Sequence, residues 1–411
     1  MARNRKLAIL TCAGCTLMLL VTTGLGMNVF STAQPYILAQ NGFTNTQTSL
    51  ITTVRSVCYL LCMLFIDRYY RRFGERLGCA VSCALAAASF ALFALAKSLA
   101  AYYLAGALAG FACGLGSMVP ATLLMQRWFG AHRGLATGIC AAGSGLATVV
   151  FSPLLTELLE RLGLAAAFWW TAAFCALCAL AVFALIRSDP AAYGLAPYGA
   201  APDARDSAQT PVCAVQLGHG RWALLVLAAT LVSGICATGL THMMVLYTSA
   251  GMSPLRTAAA LSVCGLALMA GKCVYGELSD ALGNYRTNYL MFAIVTVGCA
   301  LCALAGRQSV WCMFVAAVLF GFGASLNSVG IMLWATDFST PARRSATLRL
   351  FQTAYGAGSV LISFVPGLVA DMTGSYAPTY ALFAAGLVVC LWILQSTYRK
   401  LRRAAASAPE Q

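Results

Sequence analysis

Apolar stretches of about 20 residues recur along the whole chain, separated by short polar or charged breaks. A helix rises 1.5 Å per residue, so each stretch is long enough to cross a hydrocarbon core about 30 Å thick. The pattern predicts an all-α polytopic membrane protein whose twelve spans lie near residues 7–32, 47–66, 77–96, 100–126, 134–157, 165–187, 221–249, 257–278, 287–306, 310–334, 346–370 and 377–398. The first stretch follows three cations but lacks a small-residue cleavage site, so we expect a span and not a cleaved signal peptide.

The composition agrees with a membrane protein, because 60% of residues are apolar and only 9% are charged. Soluble domains carry about 25% charged residues. The net charge of +14 does not indicate nucleic acid, since 20 of the 26 lysines and arginines fall on one side of the predicted spans. The opposite side holds four, which are Lys97, Arg161, Arg256 and Arg307. This asymmetry predicts cytosolic termini at both ends, and we expect the protein in the plasma membrane.

One long polar segment divides the spans into two sets of six. Residues 188–220 are rich in Pro, Gly, Ala and Asp and lack a helical period, which predicts a flexible cytosolic linker. We therefore expect a six-helix bundle at 1–187, the linker at 188–220, and a second bundle with a short basic tail at 221–411. A shift of 213 residues superposes Gly26 on Gly239, Asp67 on Asp280, Gly110 on Gly323, Gly143 on Gly356, Gly145 on Gly358 and Pro153 on Pro366. Such a parallel repeat is typical of transporters built from two bundles.

A short charged segment stands at the same place in both halves. Residues 66–76 read IDRYYRRFGER, and residues 276–286 read GELSDALGNYR. These segments are either solvated positive-inside loops or locks that join helix ends by charge-assisted bonds. They resemble the signature G-x-x-x-D-R-x-x-R-R of the major facilitator superfamily. The matching positions are Asp67, Arg68, Arg71 and Arg72 in the first copy, and Gly276 and Asp280 in the second. We predict that these residues, together with Arg127 and Arg133, form the gating motif of the carrier.

A second motif narrows the resemblance. Residues 126–145 read QRWFGAHRGLATGICAAGSG, and the spacing of Arg127 and Arg133 within R-W-F-x-x-x-R-G-x-A-x-G is similar to the oxalate/formate antiporter and monocarboxylate transporter branch. The resemblance covers essentially the whole chain and implies a carrier, not an enzyme, that moves small carboxylates.

Two positions depart from the family pattern. Met63 replaces the first glycine of the loop signature, and Tyr355 stands where oxalate exchangers have a lysine. A tyrosine offers a hydrogen bond without a charge, which favours a monocarboxylate or a bulkier anion over oxalate.

Two cations lie inside predicted spans, where insertion of a charge costs at least about 2.5 kcal/mol. Lys272 is eight residues before Asp280, on the least apolar stripe of the eighth span. The resembling family has a basic residue there that pairs with the substrate carboxylate. Arg55 lies in the second span, and the 213-residue shift places it one turn from Lys272. Both cations are interpreted either as substrate ligands or as long side chains that snorkel to an interface, Lys272 also as a helix-pairing residue.

Other polar side chains inside spans could line the same cavity. We predict contributions from Asn28, Ser31, Gln34, Tyr59, His242, Asn327, Gln352 and Tyr355. His242 is interpreted as a polar cavity residue, a proton carrier or a hydrogen-bonded packing residue. None of the twelve carboxylates lies in mid-span, so anion exchange or facilitated movement is a simpler mechanism than proton coupling.

The remaining features change the picture little. The 18 cysteines include three CxxC spacings, but no His or carboxylate lies one turn away, so packing is favoured over a metal or redox site. We expect no cofactor and no metal. We predict a carrier that works as a monomer in the lipid bilayer with a small carboxylate as its partner. The alternatives are an exporter of amphiphilic organic compounds and, more remotely, a membrane oxidoreductase or a sensor.

Overall fold

The computed structural model describes residues 2–129, 133–199, 218–307, 309–339 and 344–406. Backbone contacts divide the chain into two compact units, Met1–Ser207 and Ala208–Gln411. The division falls inside the segment 188–220, whose role as a linker stays a prediction. Each unit has its own apolar core, built from the inward faces of its helices.

The N-terminal unit is helical from its start. Its helices are α1 (Ala2–Leu19), which continues through a π-helical segment (Leu20–Asn28) and a 3₁₀ turn (Val29–Ala33) into α2 (Gln34–Asn41), then α3 (Asn45–Leu95), α4 (Leu99–Leu115), α5 (Met118–Trp128), α6 (Arg133–Leu162), α7 (Leu164–Leu185) and a short 3₁₀ turn (Ala191–Tyr193).

The C-terminal unit repeats this plan. It contains α8 (His219–Ser249), α9 (Pro254–Leu282), α10 (Asn284–Cys302), a 3₁₀ turn (Ala305–Arg307), α11 (Val310–Gly323), a 3₁₀ turn (Ala324–Asn327), α12 (Val329–Asp337), α13 (Arg344–Ile362), α14 (Val365–Thr373) and α15 (Ala377–Ala406).

Among the described residues, ten helical segments are long and apolar enough to cross a membrane. One of them, α3, holds the second and third predicted spans and bends at Gly74, where φ is 70°. The ninth predicted span is α10, with 19 residues. Counting α3 twice and adding α10 gives the twelve predicted spans. The all-α polytopic fold is therefore confirmed.

The structure corrects several span limits. The segment 66–76 was expected to be a loop, but α3 stays helical through it and breaks only at Gly74, because a positive φ is accessible to glycine and the neighbouring Arg and Tyr residues tolerate a helix. At the chain end, α15 continues eight residues past the predicted limit of 398. Its extra turns are rich in Arg and Lys, which favour the C-terminal end of a helix electrostatically.

Close helix approaches explain the glycine spacing in the fourth and fifth spans. A Cβ at Gly110 would lie 2.3 Å from the Arg55 carbonyl oxygen, and one at Gly114 would lie 2.5 Å from Cys62 Cβ. In the fifth span a Cβ at Gly143 would lie 2.3 Å from the Thr16 oxygen. The equivalent approach in the C-terminal unit brings Gly358 of α13 against the Thr230 oxygen of α8. These glycines therefore allow helix backbones to touch.

Candidate substrate site

Among the described residues of the N-terminal unit, Arg55 is the most buried cation. It lies in α3 with 3% of its surface exposed, so it does not snorkel to an interface. Its Nη1 donates a hydrogen bond to the Gly26 carbonyl at 2.9 Å and approaches the Met27 carbonyl at 3.5 Å. The guanidinium also lies 5.5 Å from the centre of the Phe30 ring. Carbonyl dipoles and an aromatic face thus stabilise the charge in part.

The carbonyls beside Arg55 belong to the π-helical segment Leu20–Asn28. Side chains of neighbouring helices supply donors to this irregular turn. Cys113 Sγ of α4 donates to the Thr22 carbonyl at 2.8 Å, in addition to the bond from Arg55 to Gly26. Buried carbonyls require partners, and π-helical turns occur often at functional sites. The second and fourth spans therefore hold the first span in this conformation.

Arg55 has no anionic partner among the described residues. The ion pairs found there are Arg127–Glu75 and Arg161–Glu157, and neither involves Arg55. Its Nε is also buried without a hydrogen-bond partner. A buried cation that lacks a carboxylate retains most of its desolvation cost, which an anionic ligand would offset. The side chain can therefore accept a carboxylate.

The polar residues predicted in the first two spans lie in different environments. Gln34 is 1% exposed, and neither atom of its amide has a hydrogen-bond partner among the described residues. Ser31 is buried but donates to the Asn28 carbonyl at 2.6 Å, so its hydroxyl hydrogen is already used. Asn28 and Tyr59 are half-buried. Of these four side chains, Gln34 offers the most unused hydrogen-bonding capacity.

Lys272 lies in the middle of α9 and is half-buried. No carboxylate oxygen of the described residues is within 4.0 Å of its ammonium group. Tyr275, one turn away, points into the core of the unit and donates to Asn288 Oδ1 at 2.6 Å. The two side chains of the predicted polar stripe therefore differ. Tyr275 packs inside the unit, whereas Lys272 is only half-buried.

His242 is fully buried in α8. Its Nδ1 lies 3.1 Å from the Thr238 carbonyl and 3.2 Å from the Thr241 hydroxyl, and its ring centre is 6.4 Å from that of Tyr376. These contacts are those expected of the hydrogen-bonded packing interpretation. A bond to the i−4 carbonyl requires a proton on Nδ1, since a carbonyl only accepts.

The last three predicted side chains of the C-terminal unit are less enclosed. Asn327 is half-buried at the end of the 3₁₀ turn Ala324–Asn327. Gln352 is exposed on α13, with its amide nitrogen 3.2 Å from Met332 Sδ, and Tyr355 is half-buried one turn later.

In the charged segment 66–76 of the N-terminal unit, the inter-helix contacts are made by residues beside the predicted gating residues. Asp67, Arg68, Arg71 and Arg72 are exposed and form no ion pair among the described residues. The bond across this end is instead Arg127–Glu75 at 2.5 Å. Arg76 donates to the Phe183 carbonyl at 2.8 Å and stacks 4.2 Å from that ring. Both contacts come from the two residues that directly follow Gly74, and they tie the helix after the bend to the ends of α5 and α7.

The corresponding end of the C-terminal unit uses neutral donors. Asn284 Nδ2 and Tyr398 Oη both donate to Asp337 Oδ2, at 2.6 and 2.5 Å. Nearby, Trp334 Nε1 joins Tyr275 in donating to Asn288. Burial raises the pKa of the Asp337 carboxyl, although the two hydrogen bonds act in the opposite direction. Gly276 of the predicted motif is half-buried in α9. The side chains of Asp280 and Arg133 lie outside the described residues.

Sequence reasoning missed several of these residues. Neither Glu75 nor Cys113 was singled out from the sequence. The sequence around Asn288 and Tyr398 does not indicate their hydrogen bonds, because their partners are 13 or more positions away along the chain. The 213-residue shift could have suggested one of them, since it places Glu75 on Asn288.

The cysteines behave as packing residues. Every described cysteine is a free thiol, and all are buried except Cys273 and Cys312. The closest approach to a pair is Cys12 Sγ to Cys140 Sγ at 3.8 Å, which is a contact and not a bond.

Comparison with known proteins establishes the class. The family model of the Major Facilitator Superfamily matches residues 16–308 and 251–410. The chain therefore belongs to the Major Facilitator Superfamily, a family of membrane transporters and not of enzymes.

Relatives and solved structures agree with this class. The chain is 25% identical over 303 residues to "Monocarboxylate transporter 13" of Rattus norvegicus, covering 72% of this chain and 67% of the relative. It is 22% identical over 297 residues to "Monocarboxylate transporter 12" of the same species, covering 66% and 60%. The fold is similar to the crystal structure of nucleoside transporter NupG, with a TM-score of 0.71, 15% identity and coverage of 97% and 99%. The expected similarity to the monocarboxylate branch is confirmed.

Proposed function

We propose that this transporter moves small organic anions, mono- or dicarboxylates, by alternating access. The observation that carries the proposal is Arg55, a cation 3% exposed within a membrane span with no carboxylate partner among the described residues. Lys272 adds a second cation that pairs with no carboxylate in the part of the chain that the structure describes. A carboxylate ligand would offset the cost of keeping these charges away from water. The names of the relatives support the same substrate class.

Anion exchange is the proposed form of coupling. In the N-terminal unit, Arg55 would bind a substrate oxygen and Gln34 would donate from its amide. In the C-terminal unit, Lys272 would bind a substrate oxygen. No carboxylate lies in mid-span to relay a proton, and His242 is engaged by the Thr238 carbonyl. Leaving a site of buried cations empty is costly, so its reorientation is easier when an anion is bound. We place the protein in the plasma membrane with both termini in the cytosol, because of its charge asymmetry.

The test is uptake of labelled carboxylates into proteoliposomes preloaded with each candidate counter-substrate. We expect uptake of at least one carboxylate, accelerated by a carboxylate inside. A trapped pH-sensitive dye should report no proton flux equal to the substrate flux. If no carboxylate is transported while an amphiphilic cation or neutral compound is, the protein is an exporter of amphiphiles and the proposal is wrong.

A further inference from the structure

An apolar groove of about 410 Å³ opens on the N-terminal unit between α6 and α7. Its walls include Phe151, Leu154 and Leu158 of α6 and Trp170, Phe174 and Leu177 of α7. Its floor is formed by Leu25 and Val29, which lie in and directly after the π-helical segment and are each 1% exposed. The groove therefore runs from the outside of the unit to the irregular turn of the first span.

The mouth of the groove faces hydrocarbon. Leu154, Trp170 and Leu177 are 46%, 63% and 66% exposed, and they belong to two helices that are apolar enough to span a membrane. Such large exposed apolar side chains are stable only against lipid or a partner. The groove is thus continuous with the lipid-facing surface of a multi-pass membrane protein.

The lining excludes water and polar solutes. Its one hydroxyl belongs to Thr171, whose Oγ1 already donates to the Ala167 carbonyl at 2.9 Å. A bound water needs two to four polar partners, and a carboxylate needs more. An empty groove of this size would lack dispersion contacts on all its walls. A flexible hydrocarbon chain supplies those contacts without polar demands.

We propose that an acyl chain of a bilayer lipid enters this groove and packs against Leu25 and Val29. From Phe151 to Leu158, and from Trp170 to Leu177, each wall extends about 10 Å along its helix, which accommodates part of one chain. The chain then contacts the turn that precedes Gly26, the residue whose carbonyl binds Arg55. Lipid in the groove thus supports the conformation of that turn.

The experiment is photo-crosslinking of the full-length protein in bilayers of a phosphatidylcholine that carries a diazirine on its acyl chain, followed by peptide mapping. Lipids at the surface reach exposed residues such as Trp169 and Leu180 but not Leu25 or Val29. We therefore expect adducts on the segment 25–29 in addition to surface adducts. Adducts confined to exposed residues would overturn the proposal.

Filling the groove provides the control. Ala173→Phe and Ala173→Trp place a ring among the lining residues, whereas Ala176→Phe places the same ring at an exposed position outside the lining. Labelling of 25–29 should be lost in both Ala173 variants and kept in Ala176→Phe, with retained transport as the check of folding. Unchanged labelling in both Ala173 variants would show that the chain lies elsewhere. A third outcome also contradicts the proposal: labelling of 25–29 by a free diazirine-bearing amphiphile but not by the phospholipid.

Discussion

Arg55 and Gly26 join the charge of one helix to the shape of another. The Arg55 guanidinium donates a hydrogen bond of 2.9 Å to the Gly26 carbonyl oxygen. Gly26 lies inside the π-helical segment of the first span. An anion that binds Arg55 would compete with that carbonyl for the same N–H groups. Because the turn is held partly by this bond, anion binding and the conformation of the first span are expected to be linked.

Arg55→Gln tests the contribution of this cation to binding. Glutamine can donate one bond to a carbonyl but has no charge, so we expect substrate affinity to fall at least tenfold, about 1.4 kcal/mol. Arg55→Lys keeps the charge but loses the planar guanidinium, so its substrate affinity should lie between those of the parent and of Arg55→Gln. Binding measured by calorimetry on purified protein gives these values. Lys97→Gln removes an exposed cation of the same unit and should leave affinity unchanged, and an equal loss there would mean that only net charge matters.

Lys272→Gln is expected to lower substrate affinity as well. Lys272 is half-buried, so its loss should cost less than the about 3–5 kcal/mol typical of a fully buried pair, and affinity should fall at least about tenfold while the protein still inserts and folds. Lys272→Arg should be tolerated or bind more tightly, since a guanidinium can hold both carboxylate oxygens. Concentration dependence of uptake in proteoliposomes measures both.

The matched control for this variant is Arg256→Gln, because Arg256 is an exposed cation of the same helix. It should transport normally. If Lys272→Gln also carries carboxylates with unchanged affinity, Lys272 is a structural residue and the substrate class itself comes into question.

Gly110 tests the close approach of α4 to α3. A Cβ at this position would lie 2.3 Å from the Arg55 carbonyl oxygen, so Gly110→Ala must push two backbones apart. We expect a loss of stability of about 1–3 kcal/mol, seen as a lower midpoint of thermal unfolding. At Gly138 of α6 a Cβ meets nothing within 4 Å, so Gly138→Ala should be neutral or stabilising by up to about 1 kcal/mol. Equal effects of the two changes would argue against a steric cause.

The number of spans and their order followed from the sequence because hydrocarbon imposes a length on every crossing helix. The buried position of Arg55 did not follow, since a guanidinium eight residues from a span end can equally reach the surface. Its burial depends on a π-helical turn, which no pattern of apolar residues encodes. The hydrogen bonds at Asp337 of the C-terminal unit did not follow either, because Asn284 and Tyr398 reach this carboxylate from helices distant in the chain.

The gating motif shows a second limit of sequence reasoning. The signature drew attention to Asp67 and the arginines that follow it, but the ion pair at this end is Arg127–Glu75. Which charges pair depends on the direction in which the helix leaves Gly74, and that direction is set by a single positive φ. The position of the motif could be predicted from the sequence, whereas the residues that form its ion pair could be identified only from the structure.

Asp337 provides a test based on pH. Its carboxyl is half-buried at the end of α12, and burial raises its pKa above the ordinary value of 3.8. The folded protein therefore binds this proton more tightly than the unfolded chain, so the ionised carboxylate costs stability. That cost is complete above the folded-state pKa and vanishes below about 3.8, where both states are protonated.

Asp337→Asn removes this charge and keeps an oxygen that accepts from Tyr398. We expect the variant to unfold at a higher temperature than the parent at pH 7–8, and the difference to shrink as the pH falls toward 4, because the parent then becomes neutral at this position as well. Unfolding midpoints across this pH range measure the effect. Glu277→Gln removes an exposed carboxylate from α9 and serves as the control, with no comparable gain expected. If Asp337→Asn were instead less stable at neutral pH, the carboxylate would have to be paired with a cation, and the end of this unit would be locked by charge as the N-terminal one is.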